Sequence, residues 1–282
     1  MKKILVPTDY SPLSLNALDF ALDLAKASGA EVDLIHFMET PIEAPTFEQQ
    51  LGADYISDFY DSAAIRGHSN KLQDIAKSKT GGVKINTYVG GSGVVSGSEK
   101  YAKQNSVDLI VIGADDHMES SDEFDGDVAE KLMEFLALPV ISMREHVDYV
   151  SLTDIVLGIN LNAEKYPKKS VPLVKSVAES FGAKIHLTNI LPSLAKASPA
   201  EKEDGLRDFA KEAGFTNYDV KAIEGKDQME GLLLYADQIG AGLIATISEA
   251  KPGLMKFFRD SWATDMVKAT DMPVLVLNKS KL

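Results

Sequence analysis

The chain contains no cysteine. That excludes disulfides, a thiolate nucleophile and any Cys-ligated metal. Positive charge is also scarce. Lys and Arg number 29 against 42 Asp and Glu, leaving a net charge of -13. Such a surface does not suit a nucleic-acid backbone, which needs clustered cations, nor an anionic membrane. No apolar run approaches the ~18 residues needed to span a bilayer. The start, MKKILVPTD, is basic but lacks the apolar core of a signal peptide, because Pro7 and Asp9 interrupt it. These absences predict a cytoplasmic protein that binds neither nucleic acid nor membrane. G-x-S-x-G, H-E-x-x-H and Walker A motifs are missing, and the five histidines do not cluster along the chain. No EF-hand spacing occurs. No catalytic residue and no metal site are therefore expected.

What is present is a repeat. DLIVIG (108–113) and GLIATI (242–247) stand 134 residues apart. Each is followed by a loop, a helical stretch and a Pro-led apolar run, LPVISM (138–143) and MPVLVL (272–277). A single repeat over that distance indicates a duplicated compact domain rather than a solenoid. Short apolar runs alternate with amphipathic stretches throughout. KKILVP (2–7), VDLIHFM (32–38), GVKINTYV (82–89), DLIVIG and PVISM read as five strands. Helices are expected near 11–29, 54–79, 94–105 and 126–136. The second half repeats the order, with strands at 153–160, 183–190, 218–225, 242–247 and 273–277. Its helices are expected at 163–181, 199–213, 231–240 and 261–269. Strands alternating with helices give a parallel sheet covered on both faces, doubly wound through right-handed crossovers. The reading is α/β: two tandem doubly wound five-stranded parallel-sheet domains, 1–146 and 150–282.

The opening KKILVPTDYS, the second strand GAEVDLIHF, and DLIVIG with GDVAEKLM and PV resemble the universal stress protein family in its tandem form. So does PGLMKFFRDSWATDMV in the second half. The resemblance implies an adenine-nucleotide alpha-hydrolase-like fold and a regulatory role in stress adaptation. It also implies where a nucleotide would bind. In the family's ATP-binding members, G-x2-G-x9-G-[S/T] after strand four offers backbone N–H groups and a hydroxyl to the phosphates. An Asp ending strand one contacts the ribose, and a strand-two residue contacts the adenine. Carried onto this chain, those positions are Asp9, Phe37, Gly113 and Gly126 in the first half. In the second half they are Asn160, Ile190 and Ser261.

Both sites depart from the pattern. Asp116 and Asp127 replace the middle glycine and the Ser/Thr of the first half, within a loop that also carries Asp115, Glu119, Asp122, Glu123 and Asp125. A polyphosphate entering that field meets like charge, at about 1 kcal/mol per unscreened 4 Å pair in water and more where water is excluded. In the second half Ile247, Ala250 and Asp260 hold the glycine positions, while Lys251, Lys256 and Arg259 make the loop basic. ATP is thus disfavoured as a cofactor in either half. Phe37 either stacks on a base or fills the base position itself. Asp9 is either a ribose ligand or a turn residue. GGSG (90–93) reads as a tight turn, with a phosphate cradle as the sharper alternative.

Three functions follow. The first is a non-catalytic stress-adaptation protein with degenerate nucleotide sites, acting on a protein partner. The second is an ATP-binding universal stress protein with weak or no hydrolysis. The third is apolar or lipid-like ligand binding between the halves, lined by Phe37, Ile190 and Ile247. The family's fifth strand lies at a sheet edge and pairs with another copy. An antiparallel intrachain pairing of 139–143 with 273–277 is expected here, since an open apolar edge favours aggregation. A homodimer is a further option.

Overall fold

The computed structural model describes residues 1–38, 63–79, 81–91, 93–114, 128–136, 138–144, 152–159, 171–191, 198–248 and 262–278. The expected boundary at 146–150 falls outside them. In the first half β1 (Lys3–Pro7), α1 (Pro12–Ser28), β2 (Glu31–Phe37), α2 (Ala63–Lys79), β3 (Ile85–Gly90), α3 (Val94–Asn105), β4 (Leu109–Gly113), α4 (Val128–Phe135) and β5 (Val140–Met143) follow in turn. In the second come β6 (Asp154–Gly158), α5 (Val171–Phe181), β7 (Lys184–Leu191), α6 (Pro199–Ala213), β8 (Tyr218–Glu224), α7 (Gln228–Ile239), β9 (Leu243–Ser248), α8 (Trp262–Ala269) and β10 (Val274–Asn278).

The ten strands form one sheet in the order β3-β2-β1-β4-β5-β10-β9-β6-β7-β8. Helices cover both faces, which is why the central strands are continuous apolar runs rather than alternating ones. Leu5, Val6, Val111, Val156 and Leu157 are fully buried. On one face the strands pack with α1, α2, α5 and α6. On the other they pack with α3, α4, α7 and α8. Local signals set the helix ends. The Ser11 hydroxyl accepts from Ser14 N at 3.2 Å, and Pro12 follows as the first helical residue. Gly29 ends α1 with φ 74°, a conformation that L side chains rarely adopt. Ser198 and Glu201 form a reciprocal capping box at the start of α6. Helix α2 begins at Ala63 and α5 at Val171, so the expected stretches 54–62 and 163–170 lie outside the described residues.

Every strand pair is parallel except one. β5 and β10 run antiparallel, with Val140, Ile141 and Ser142 opposite Val276, Leu275 and Val274. The join is covered on both faces. Helix α1 packs on α5, with Phe20 and Phe181 rings 6.3 Å apart. On the other face α4 meets α8, where Lys268 pairs with Glu130 at 2.7 Å. Arg144 donates to the Lys268 carbonyl at 2.8 Å.

The N-terminal edge of the sheet carries a polar knot in each half. In the first, Asp33 is 1% exposed and receives Lys3 at 3.3 Å, Asn86 at 2.7 Å and the Tyr101 hydroxyl at 3.1 Å. In the second, His186 meets Asp154 at 2.7 Å and the Tyr235 hydroxyl at 3.4 Å. The registers make Lys3 equivalent to Asp154 and Asp33 to His186. Lys3 pairs with Glu31 two residues before Asp33, and Asp154 with Lys184 two residues before His186. Glu31 and Lys184 are inverted as well. Glu31 binds Lys84, and Lys184 binds Asp219.

Candidate functional site

Ligands of open α/β sheets bind beyond the carboxyl ends of the strands. Here the exits of β1 and β2, and of β6 and β7, are built alike. Thr8 N donates to the Ile35 carbonyl at 2.8 Å, and Ile159 N to the Thr188 carbonyl at 2.8 Å. The carbonyl of each exit residue is in turn held by a side chain of strand two. His36 Nδ1 donates to Thr8 O at 2.8 Å, and Asn189 Nδ2 to Ile159 O at 2.6 Å. A carbonyl only accepts, so the Thr8 contact places a proton on His36 Nδ1.

Asp9 lies just past that exit and is exposed. Its Oδ1 accepts from Ser11 N at 2.9 Å, the bond that shapes the turn into α1. Partial burial pushes the carboxyl up. Hydrogen bonds from Ser11 and Ser14 outweigh it and hold Asp9 below the ordinary carboxylate value. Asp9 therefore has a structural role and also presents an ionised carboxylate at the strand exit.

Phe37 is buried. The side chain is 7% exposed and belongs to the apolar layer beneath α3. Its ring lies between Gly90 and Gly97. A Cβ added at Gly90 would stand 2.7 Å from the ring, and one at Gly97 closer still. Two glycines, one ending β3 and one in the first turns of α3, make room for this ring. Ile190 does the same in the second half. It is 7% exposed, and a Cβ at Gly231 would meet it at 3.1 Å. Gly97 and Gly231 are themselves 134 residues apart. The strand-two positions are filled by the chain's own side chains.

Gly113 ends β4 against the start of α1. A Cβ there would lie 2.7 Å from the Leu13 carbonyl carbon, so close backbone packing alone requires glycine. In GGSG, Gly90 ends β3 and Gly93 precedes α3 with φ 69° and no side-chain cap, while Ser92 lies outside the described residues. Gly126, Asn160 and Ser261 lie outside the described residues. So do the acidic loop 115–127 and Lys251, Lys256 and Arg259.

Phe37, Ile190 and Ile247 do not line one pocket between the halves. Six strands separate β2 from β7, so the two lie seven steps apart, roughly 34 Å at about 4.8 Å per step. Phe37 and Ile190 thus sit at distant points of one layer, and Ile247 packs on the opposite face of the sheet. Spacing along the chain could not reveal this, because the antiparallel join places the two second strands far apart.

The fold also assembles a group that sequence spacing concealed. His36 and His68 are 32 residues apart in sequence, yet their rings stack at 4.2 Å. Tyr10 stacks on His36 at 4.6 Å, and its hydroxyl bonds His68 Nδ1 at 2.8 Å. Lys71 Nζ lies 3.8 Å from the Tyr10 ring centroid. Tyr10 takes φ 71°, a left-handed conformation unusual for an aromatic residue. Among the described residues no three His, Asp or Glu side chains are grouped to hold a metal ion. No described helix is long and apolar enough to cross a membrane.

The protein-family model described as "Universal stress protein family" matches residues 1–144. Universal stress protein YxiE of Bacillus subtilis (strain 168) is 28% identical over 147 residues, covering 50% of this chain and 98% of that protein. A universal stress protein from Archaeoglobus fulgidus DSM 4304 has a similar crystal structure. Its TM-score is 0.73 at 16% identity, over 99% of this chain and 98% of that one. A functionally unknown protein from Pseudomonas aeruginosa PAO1 matches with a TM-score of 0.70, also at 16% identity, over 99% and 93%. These two likenesses concern the fold. With the family model spanning the first half, the chain belongs to the universal stress protein family.

Proposed function

We propose that this is a cytoplasmic, non-catalytic regulatory protein of stress adaptation whose two nucleotide sites are degenerate. One observation carries the reading. Phe37 and Ile190 occupy the positions where the family would place a base, packed against Gly97 of α3 and Gly231 of α7. An adenine would have to displace a buried ring or a buried isoleucine. The charge pattern of the sequence points the same way, with Asp116 and Asp127 at phosphate-binding positions. The acidic surface, net -13, favours a protein partner over nucleic acid or membrane. Self-association as a homodimer stays within this reading.

Calorimetric titration of the intact protein with ATP and Mg²⁺ tests it. The expected dissociation constant is weaker than about 100 μM, or about -5.5 kcal/mol. Tighter binding overturns the reading.

The alternative is weak ATP binding in the first half only. It is favoured by Asp9, whose exposed carboxylate is ionised at the β1 exit. Asp9→Ala would then weaken any measurable affinity, whereas the degenerate-site reading expects no change.

A further inference from the structure

The Tyr10, His36, His68 and Lys71 group joins three elements at this end of the sheet. Tyr10 belongs to the turn between β1 and α1. His36 belongs to β2. His68 and Lys71 are one turn apart near the start of α2. The far end of α2 is fixed separately, by Lys79 on Asp19 of α1 at 2.6 Å.

The stack is not a metal site. Ring planes of His36 and His68 differ by 18°. Lone pairs lie in the ring plane, so those of two stacked rings run side by side rather than converging on one ion. The pair is instead arranged to respond to protons. With His68 neutral and its proton on Nε2, the Tyr10 hydroxyl donates to Nδ1 across their 2.8 Å contact. Protonated His68 must donate through Nδ1, so the bond reverses and the Tyr10 proton loses its acceptor. The new cation also faces His36 at 4.2 Å and shares the site with the Lys71 ammonium. His36 cannot relieve it by turning, because its Nδ1 proton is committed to the Thr8 carbonyl.

We propose that this stack is an acid-released clasp: it fastens the start of α2 to the β1 exit when His68 is neutral, and lets go when His68 takes up a proton. The titratable and charged groups at the clasp are Tyr10 and Asp9 on the turn, His36 on β2, and His68 and Lys71 on α2. Asp9 stays ionised at the turn, with Oδ1 accepting from Ser11 N. Burial first, then His36 and Lys71, hold His68 below its ordinary value, in keeping with a clasp made of neutral rings. Release frees Tyr10 from its left-handed conformation, and with it the turn that aims Asp9. The clasp therefore couples acidification to the shape of the first-half strand exit, whatever that exit binds. The second half holds its exit differently. Asn189 replaces His36 and does not titrate.

The test is hydrogen–deuterium exchange of the intact protein at about pH 7.5 and about pH 5.5, corrected for intrinsic exchange. Protection of the peptide covering the start of α2 should fall about five- to tenfold at the lower pH, the factor expected from one like-charge contact near 4 Å. Protection of α6 should be unchanged. His68→Phe keeps a ring in the stack and should abolish the pH dependence. His36→Asn installs the second half's own carbonyl donor and should do likewise, which gives an independent readout if His68→Phe folds poorly. Equal α2 protection at both pH values in the wild type overturns the proposal. So does an undiminished pH response in both variants.

Discussion

Lys3 and Asp33 in the first half stand where Asp154 and His186 stand in the second. An acid stands in place of Lys3 and an imidazole in place of Asp33, while Glu31 and Lys184 are opposite in charge. What persists is the tyrosine from the crossover helix, Tyr101 or Tyr235, and the polar pairing within the knot. The comparison teaches that this position of the fold demands a paired polar group and is indifferent to its polarity. A buried charge is costly only when it is left alone.

Removing one partner should therefore have the largest effect. Asp33→Ala removes the shared acceptor of Lys3, Asn86 and Tyr101, leaving Lys3 and Asn86 with Glu31 alone, and should lower unfolding free energy by about 3 kcal/mol in urea denaturation. A loss under about 1 kcal/mol would mean that the knot is not holding its half together.

Transplanting the second half's arrangement comes next. Lys3→Asp with Asp33→His should be more stable than the sum of the single losses by at least about 1.5 kcal/mol in a double-mutant cycle. No coupling would show that neighbours such as Asn86 fix the polarity after all.

The filled base positions give a smaller contrast. Gly97→Ala drives a methyl into a ring already held by Gly90 and should cost about 1–3 kcal/mol. Gly231→Ala meets Ile190 at 3.1 Å and should cost less than about 1 kcal/mol. Matched thermal melts decide this, and equal losses would show the two fillings to be equally tight.

Acid gives the finest distinction. In the second half burial raises Asp154, but hydrogen bonds from His186 and Thr153 outweigh it, leaving it below its ordinary 3.8. In the first half His68 lies below its ordinary 6.5. Both groups are lowered on folding, so each contributes stability present above its ordinary value and lost as pH falls through its folded value. Denaturation followed against pH should show a shallow loss beginning near 6.5, removed by His68→Phe. A second loss below 3.8 should be reduced by Asp154→Asn. A single transition untouched by His68→Phe would remove the difference between the halves.

Much of this architecture was legible in the sequence, because buried parallel strands are short apolar runs bounded by caps such as Ser11, Pro12 and Gly29. The antiparallel join could be expected for the same reason: PVISM and PVLVL are too apolar to be left at an open edge. The polar knots were not legible. Asp33 and Tyr101 are 68 residues apart, and no local rule links them. Gly97 and Gly231 stood in ordinary helical stretches, and only the fold shows which side chains press on them. Gly113 was legible as a required glycine but for another reason, since the α1 backbone rather than a phosphate crowds it. His36 and His68 met only once β2 and α2 were laid side by side.

The antiparallel seam between β5 and β10 has one more consequence. In a symmetric pair of identical chains, every substitution occurs twice, and each must be tolerated in both copies at once. Here the two partners across the seam are separate stretches of one polypeptide, and a change in one half occurs once. Inverting a charge pair or filling a pocket in one copy leaves the other free to keep or abandon the same feature. Covalent linkage thus turns a symmetric assembly into one that can divide labour, and the opposed polar knots at its edge record that freedom.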